Sequence, residues 1–209
     1  MSRGYILQKV RTALGRAHGQ VPPPIAPAML KIPDVPLETR ITDFIRHFEN
    51  LAGKAFRVPD RDAASACVAD LLENQTAVVS NSPFLRECGI SSDFRDCATA
   101  GAGITSADYA LSNTGTLVML SSDREARLIS LLPPLHIAVI PASAMLTSLD
   151  ELFTILPDPA RRTSAMVLIT GPSRTADIEQ ILVRGVHGPG EIRVIIVDNV
   201  TDGGLTASR

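Results

Sequence analysis

A chain of 209 residues that is 45% hydrophobic but only 4% aromatic must build its core mainly from aliphatic side chains, which is typical of a sheet covered by helices. The net charge of -2 offers no attraction to a polyanion and aromatic residues for base stacking are scarce, so the composition argues against nucleic-acid binding. No apolar stretch reaches the roughly 20 residues that a membrane helix needs, and the N-terminus lacks the apolar core of a secretion signal. We therefore expect a cytoplasmic protein without a membrane span.

The positions of the cysteines and lysines argue against several kinds of metal site and covalent intermediate in this chain. The three cysteines have spacings that match neither paired zinc ligands nor an iron–sulfur ligand run, and they are Cys67, Cys88 and Cys97. We therefore expect free thiols, and neither a metal nor another cofactor in this chain. No lysine follows Lys54, so the residues beyond it cannot form a Schiff base. An anion bound there must be held by arginine or by backbone amides.

Residues 1–36 are predicted to form an N-terminal arm. Near its start, Ile6, Leu7 and Val10 share one helical face, which predicts an amphipathic helix. The proline-rich stretch that follows indicates an extended linker. Such an arm needs a surface to lie on, and two alternatives stay open: its own domain, or another subunit, as in a homo-oligomer.

The remaining residues, 37–209, are predicted to form one α/β domain. The domain opens with helical patterns at 37–53 and 61–75, each of which can cover one face of a sheet. Short apolar runs then predict a strand at 76–80 and another at 114–122. Turn residues before the second strand favour a hairpin.

Three continuous apolar runs indicate buried parallel strands at 136–142, 165–171 and 192–198. Helical patterns at 148–156 and 175–185 separate them. This succession predicts an α/β fold in which a mostly parallel sheet is flanked by helices and connected by right-handed crossovers.

The turn G-P-S-R-T, where the second of these runs should pass into a helix, is the first candidate binding site. Ser173 or Thr175 can cap that helix, and Asp177 suits its first turn. Capping alone does not explain Arg174. A hydroxyl, a guanidinium and free amides that follow Gly171 would together form a cradle for a phosphate or a carboxylate, so an anion site and a simple capped helix are both open interpretations.

A serine hydrolase is a sharper alternative for the same turn. The turn nearly matches the G-x-S-x-G nucleophile elbow, but Thr175 replaces the last glycine. The only downstream histidine is His187, and the acidic residues between, Asp177 and Glu179, share one predicted helix with the serine. The usual triad order on separate loops is therefore absent, which argues against a hydrolase.

The segment 101–117 is a second polar stretch. Its G-A-G-I-T-S lacks the third glycine of a dinucleotide fingerprint. Ser106 suits the N-cap of a helix with Asp108 in the first turn. The turn Thr114–Thr116 could face a ligand with its amides and hydroxyls, and it could equally be a plain hairpin turn.

Arginine and histidine residues supply further candidates. A capped helix is predicted over 121–136, with Arg124 and Arg127 about one turn apart; Arg127 is either solvated or a second anion ligand. His136 is expected to be structural, whereas His187 in a glycine-rich turn could contact a ligand or transfer a proton. The candidate ligand-binding residues are Ser106, Asp108, Thr114, Gly115, Thr116, Arg127, Gly171, Ser173, Arg174, Thr175, Asp177, Glu179 and His187.

Three blocks of this sequence resemble the LUD-domain family: GITSADYALSNTGTLVM, DREARLISLLPPLHIAVI and ITGPSRTADIEQILVRGVHGPGEIRVIIVD. The resemblance extends over most of residues 40–200. It implies an α/β fold related to ribose-5-phosphate isomerase, glucosamine-6-phosphate deaminase and the CoA-transferases. It also implies a part in oxidising L-lactate to pyruvate together with two iron–sulfur partner proteins, the A- and B-type subunits, and any iron–sulfur clusters are then expected in those partners.

Two functions follow from this resemblance and from the residues. In the first, the chain is a non-autonomous subunit of a lactate-oxidising assembly and binds a small anionic metabolite at the carboxyl-terminal edge of the sheet, where the two polar loops are expected to meet. In the second, it is a stand-alone enzyme acting on a phosphorylated, CoA-linked or folate-like substrate, with Asp177, Glu179 or His187 as the acid or base. The missing lysine and the missing redox ligands favour the first, and no catalytic residue is assigned.

Overall fold

The computed structural model describes residues 2–16, 32–122, 124, 126–175, 183–184 and 187–199. The chain divides into two units, Met1–Leu30 and Lys31–Arg209. The first contains helix α1 (Arg3–Ala13), which begins at Ser2, whose hydroxyl accepts a hydrogen bond from Tyr5 N. The predicted N-terminal helix is confirmed, whereas most of the predicted proline-rich linker lies outside the described residues.

The second unit contains helices and strands in alternation. Its helices are α2 (Leu37–Asn50), α3 (Arg61–Leu72), α4 (Pro83–Glu87) and α5 (Leu149–Ile155). Its strands are β1 (Lys54–Val58), β2 (Ala77–Val79), β3 (Ala102–Ser106), β4 (Tyr109–Leu111), β5 (Thr116–Leu120), β6 (Leu135–Pro141), β7 (Met145–Leu146), β8 (Met166–Ile169), β9 (Arg174–Thr175), β10 (Val183–Arg184) and β11 (Glu191–Val197).

A five-stranded parallel sheet with the order β1-β11-β6-β3-β2 forms the centre of the second unit. Residues of β6 and β11 point alternately to its two faces. One face packs against α3 and α4 through Val68, Leu85 and Ile137, and the other packs against α2 through Phe44 and Ile140. The predicted α/β fold, a mostly parallel sheet flanked by helices, is therefore confirmed.

The run at 165–171 was predicted as a third buried parallel strand, and that prediction is wrong. Its strand, β8, pairs antiparallel with β5 in a second sheet of order β7-β4-β5-β8, while β6 and β11 are bonded directly to each other. Leu168 is 43% exposed, so this apolar run is only half covered. The predicted hairpin is present in the same sheet as the antiparallel pair β4 and β5.

Three predicted helices differ from the structure. Among the described residues of 121–136, the only helical segment is a short 3-10 turn, Arg127–Ser130, and Pro133 and Pro134 prevent its extension. No helix starts at Ser106, because that residue ends β3. The helix predicted at 175–185 has strands β9 and β10 at its described ends, paired antiparallel, with Arg174 opposite Arg184; Asp177 and Glu179 lie outside the described residues.

Arg40 joins α2 to the second sheet. Its Nε donates to Val35 O at 2.8 Å, and its Nη1 donates to Met145 O at 3.2 Å and to Glu151 Oε1 at 3.1 Å. The other oxygen of Glu151 accepts a hydrogen bond from Thr147 N at 2.6 Å. The Arg40 and Glu151 side chains are only 18% and 15% exposed, so water replaces this ion pair poorly.

Replacing Arg40 by methionine is expected to lower the free energy of unfolding by about 2 kcal/mol, because a largely buried carboxylate and two carbonyls lose their donor. Urea denaturation measures the change. The matched control is Arg46→Met, since Arg46 pairs with Asp43 at 2.7 Å but is 62% exposed; a change of about 0.5 kcal/mol or less is expected there. Equal losses in the two variants would contradict the assigned role of Arg40.

Other features of the described residues bear on the sequence predictions. Cys67, Cys88 and Cys97 are all free thiols. Within the described ranges, no three or more histidine, cysteine and acidic side chains form a group that could hold a metal ion. None of the helices in those ranges has the length and apolar character required to cross a membrane.

Candidate functional site

Two polar loops that the sequence marked as candidates meet in the second sheet. Thr114 and Thr116 belong to the β4–β5 turn, and Thr170 follows β8. Their hydroxyls form a chain: Thr114 Oγ1 lies 2.8 Å from Thr116 Oγ1, which lies 2.9 Å from Thr170 Oγ1. The three hydroxyls carry three hydrogens, and the two hydrogen bonds use two of them. Among the described residues, the third hydrogen therefore remains available to another acceptor. Thr170, which completes this chain, was missed by the sequence prediction.

Both loops pack against the C-terminal end of α2. Gly115 has φ +63°, and a Cβ there would lie 2.5 Å from Phe48 N. Gly171 has φ +107°, and a Cβ there would lie 3.1 Å from Leu51 O. Glycine is needed at both positions because the backbone is left-handed and, at Gly115, the helix backbone occupies the space of a side chain.

His47, near the end of α2, is a further polar group at this place. Its Nδ1 lies 2.9 Å from Ser112 O. A carbonyl oxygen only accepts, so Nδ1 must carry the hydrogen, and in the neutral ring Nε2 is left as an acceptor. A lone histidine in a helical pattern carries no sequence signal for a site, which is why it was missed.

The third loop of this cluster precedes β11. Ser173 N donates to Pro189 O at 3.0 Å, and a Cβ on Gly188 would lie 3.3 Å from Ser173 Cβ. His187 is exposed in this loop. The loops at 112–116, 170–173 and 187–190 therefore form one contiguous surface with the end of α2, which we call the loop cluster.

The loop cluster does not lie where the sequence predicted it. The loop 187–190 leads directly into β11, and α2 leads through Gly53 into β1, so the cluster sits at the amino-terminal edge of the parallel sheet. Convergence at the carboxyl-terminal edge was expected because β8 was placed in that sheet. Since β8 belongs to the second sheet, the loop that follows it does not lie at the carboxyl-terminal edge of the parallel sheet.

Two candidate residues are separated from the loop cluster. Ser106 ends β3, at the carboxyl-terminal edge, where its hydroxyl donates to Ser82 Oγ at 2.8 Å. Asp108 Oδ2 accepts a hydrogen bond from Leu120 N at 2.7 Å and so closes the open end of the β4–β5 hairpin. Neither residue caps a helix, because the chain continues from β3 into β4.

The remaining candidates divide between described and undescribed parts of the chain. Arg127 is exposed at the start of its 3-10 turn. Arg174 and Thr175 form β9 directly after the loop cluster. Their role in binding an anion stays a prediction, as does that of Asp177 and Glu179.

His136 is structural, as expected. It is fully buried in β6, and its Nε2 lies 2.8 Å from Thr105 Oγ1. The Thr105 hydroxyl donates to Met119 Sδ at 3.9 Å, so Nε2 carries the hydrogen and donates to Thr105. Its Nδ1 has no partner among the described residues, and burial lowers the pKa of His136 to about 4.

Several curated proteins are similar to part of this chain. Lactate utilization protein C of Halalkalibacterium halodurans is 42% identical over 104 residues, which are 48% of this chain and 45% of that protein. The protein of the same name from Macrococcus caseolyticus is 38% identical over 104 residues, with the same shares. The aligned part thus spans less than half of the length of these relatives.

A solved structure and a family model extend the comparison. A DUF162 family protein from Deinococcus radiodurans has a TM-score of 0.64, covers 78% of this chain and 99% of its own, and is 20% identical, which supports the fold. The family model described as the LUD domain matches residues 92–197, and this range includes all three loops of the loop cluster and about half of the chain. The chain therefore belongs to the LUD-domain family.

Proposed function

We propose that this chain works in lactate utilization, as a lactate utilization protein C-like subunit of a system that oxidises L-lactate to pyruvate. Support comes from the relatives, which carry the name Lactate utilization protein C at 42% and 38% identity. The match to the LUD-domain model over residues 92–197 covers the three loops of the loop cluster, whereas the end of α2, which contains His47, lies before the matched region.

The electrons of this oxidation need acceptors in other proteins. Conversion of lactate to pyruvate releases two electrons and two protons, and the cysteine spacings of this chain do not fit a cluster-ligand run. We place the iron–sulfur clusters in partner proteins, the A- and B-type subunits. The role of this chain is then to bind the substrate or product and to assemble with those partners.

The loop cluster is the proposed binding place for the small anion. The observation that carries this proposal is the chain of three threonine hydroxyls, in which the described residues leave one hydrogen to donate, and such a donor suits a carboxylate oxygen. His47 Nε2, left as an acceptor by the bond from Nδ1 to Ser112 O, suits a hydroxyl such as that of lactate.

The anion needs a positive charge as well. The C-terminal end of α2 contributes partial negative charge on this side, so the helix does not attract a carboxylate. We assign the positive charge to Arg174, which directly follows the loop residue Ser173 in the sequence. A bidentate guanidinium–carboxylate contact is the strongest polar interaction that this loop can offer.

Calorimetric titration of the purified chain with L-lactate and with pyruvate tests this site. Thr170→Val keeps the side-chain shape but breaks the hydroxyl chain, and Arg174→Ala removes the charge; we expect each to weaken binding about tenfold. Thr154→Val is the matched control, since Thr154 is an exposed threonine whose hydroxyl makes one hydrogen bond, to Asp150 O at 3.0 Å. If all four proteins bind alike, the loop cluster is not the binding place.

Assembly with partners is tested separately. A tagged chain co-expressed with its genomic neighbours should co-purify with proteins that contain iron and acid-labile sulfide, and L-lactate oxidation with an artificial electron acceptor should appear only in that preparation. Turnover of a phosphorylated, CoA-linked or folate-like substrate by the isolated chain would contradict the subunit role and favour a stand-alone enzyme.

A further inference from the structure

A cavity at the carboxyl-terminal end of β2 is lined by three arginines. Its volume is about 280 Å³, and its walls include Ser80 and Asn81, which directly follow the strand. The arginines are Arg86, Arg95 and Arg124. In parallel sheets, ligands bind at the carboxyl-terminal ends of the strands, so this cavity occupies the edge that the loop cluster does not.

Hydrogen bonds hold the arginines around the cavity. Asn81 N donates to Arg124 O at 3.0 Å, which fixes the Arg124 backbone beside the strand end. Arg86 Nη1 donates to Asn81 Oδ1 at 2.8 Å, and Arg95 Nη1 donates to the carbonyl oxygen of Ser92. A guanidinium has five N–H donors, so these bonds orient Arg86 and Arg95 while leaving donors for a ligand.

The described residues that line this cavity carry positive charge only, since three are arginines and none is acidic. Glu87, next to Arg86, pairs instead with Arg61 at 2.8 Å. Asp96, next to Arg95, accepts hydrogen bonds from Ala98 N and from the Thr99 hydroxyl, both at 2.9 Å. An anion is therefore the natural occupant.

An apolar cavity adjoins the arginine-lined one. Its volume is about 430 Å³, and it lies between α3 and the segment 89–94, with Val68, Leu72 and Ile104 in its walls. The two cavities share four lining residues, which are Val79, Ile90, Ser91 and Ser92. The two cavities therefore lie side by side.

We propose that these two cavities form one binding site for an organic anion with an apolar body. The carboxylate or phosphate of the ligand binds Arg86, Arg95 and Arg124 through charge-assisted hydrogen bonds. Its apolar part lies against Val68, Leu72 and Ile104 and is removed from water. The site is separate from the loop cluster, which lies at the opposite edge of the parallel sheet.

Titration with simple amphiphiles tests the proposal. Octanoate and octyl phosphate carry both features, acetate and phosphate carry only the charge, and 1-octanol carries only the chain. Each buried methylene strengthens binding about fourfold, so octanoate should bind at least about a hundredfold more tightly than acetate. The tighter of octanoate and octyl phosphate identifies the anionic group that the arginines prefer.

Variants then locate the binding on the chain. Arg124→Gln should weaken octanoate binding about tenfold, whereas the control Arg161→Gln should not, since Arg161 is 86% exposed and pairs with Asp158. Ala69→Trp places a ring in the apolar cavity from an exposed position of α3 and should abolish octanoate binding without shifting the thermal unfolding midpoint.

The outcomes that overturn this site differ from those that overturn the loop cluster. Thr170→Val should bind octanoate like the wild type, because Thr170 lies in the loop cluster. Equal affinity of the wild type for octanoate and 1-octanol, equal affinity of Arg124→Gln and Arg161→Gln, or absence of saturable octanoate binding to the wild type would each refute the proposed amphiphile site.

Discussion

Replacement of Gly115 by alanine is expected to lower the free energy of unfolding by about 3 to 4 kcal/mol. Two effects add at this position. The backbone is left-handed, with φ +63°, and the new Cβ would lie 2.5 Å from Phe48 N and 2.8 Å from His47 C. Because those atoms belong to the backbone of α2, the helix and the β4–β5 turn must separate to admit a methyl group.

Gly89 provides the control that separates the two effects. Its φ is +71°, but the nearest atom to a Cβ there is the Ser65 hydroxyl oxygen at 3.8 Å. Gly89→Ala should therefore lose only the conformational term of about 1 kcal/mol. Urea denaturation of both variants gives the comparison; similar losses would show that the turn does not pack on α2 as described.

Acidification is expected to lower the free energy of unfolding through His136. Burial holds its pKa at about 4 in the folded protein, whereas an unfolded histidine titrates near pH 6.5. Below that pH, His136 binds a proton in the unfolded chain but remains neutral in the folded chain, so unfolding becomes more favourable. The contribution of His136 to the free energy of unfolding is constant above about pH 6.5 and falls by about 3 kcal/mol as the pH drops to 4.

Two measurements check this pH dependence. Urea denaturation between pH 4 and 7 should show a weaker decline in His136→Gln than in the wild type, because glutamine does not titrate and its amide can still donate to Thr105. The imidazole signal of His136 in NMR spectra of the folded protein should not shift between pH 7 and 5. A midpoint near pH 6.5 in those spectra would contradict the assigned burial.

The sequence predicted the parallel sheet well where both faces of a strand are buried. The continuous apolar runs of β6 and β11 were recognised for that reason. The edge strand β1 was missed, because Lys54 and Arg57 interrupt its apolar pattern; Lys54 pairs with Glu191 and Arg57 pairs with Glu38. Strand β8 shows the converse limit, since an apolar run identifies a strand but does not determine the sheet in which it pairs.

Small residues conceal strand β3. A Cβ at Gly103 would collide with the Ile129 carbonyl oxygen, so close packing requires a glycine there. From the sequence, no strand was predicted over A-G-I-T-S, and Ser106 was interpreted as a helix N-cap. The candidate site was also predicted only in part. The polar turns at 114–116 and 171–175 were recognised from their composition. The loops that contain them do meet, but the place where they meet depends on the sheet in which β8 pairs. The arginine-lined cavity left no local pattern, because residues from 79 to 95 and Arg124 build it together.

The placement of β11 between β1 and β6 has a consequence for the order of folding. Lys54 and Glu191, joined across β1 and β11 by an ion pair, are 137 residues apart in sequence. Because β11 pairs with both β1 and β6, the edges of these two strands that face β11 remain unpaired during synthesis until residue 197 has left the ribosome. Such high contact order predicts slow refolding, and a transcript cut before β11 would yield a chain that aggregates through those edges.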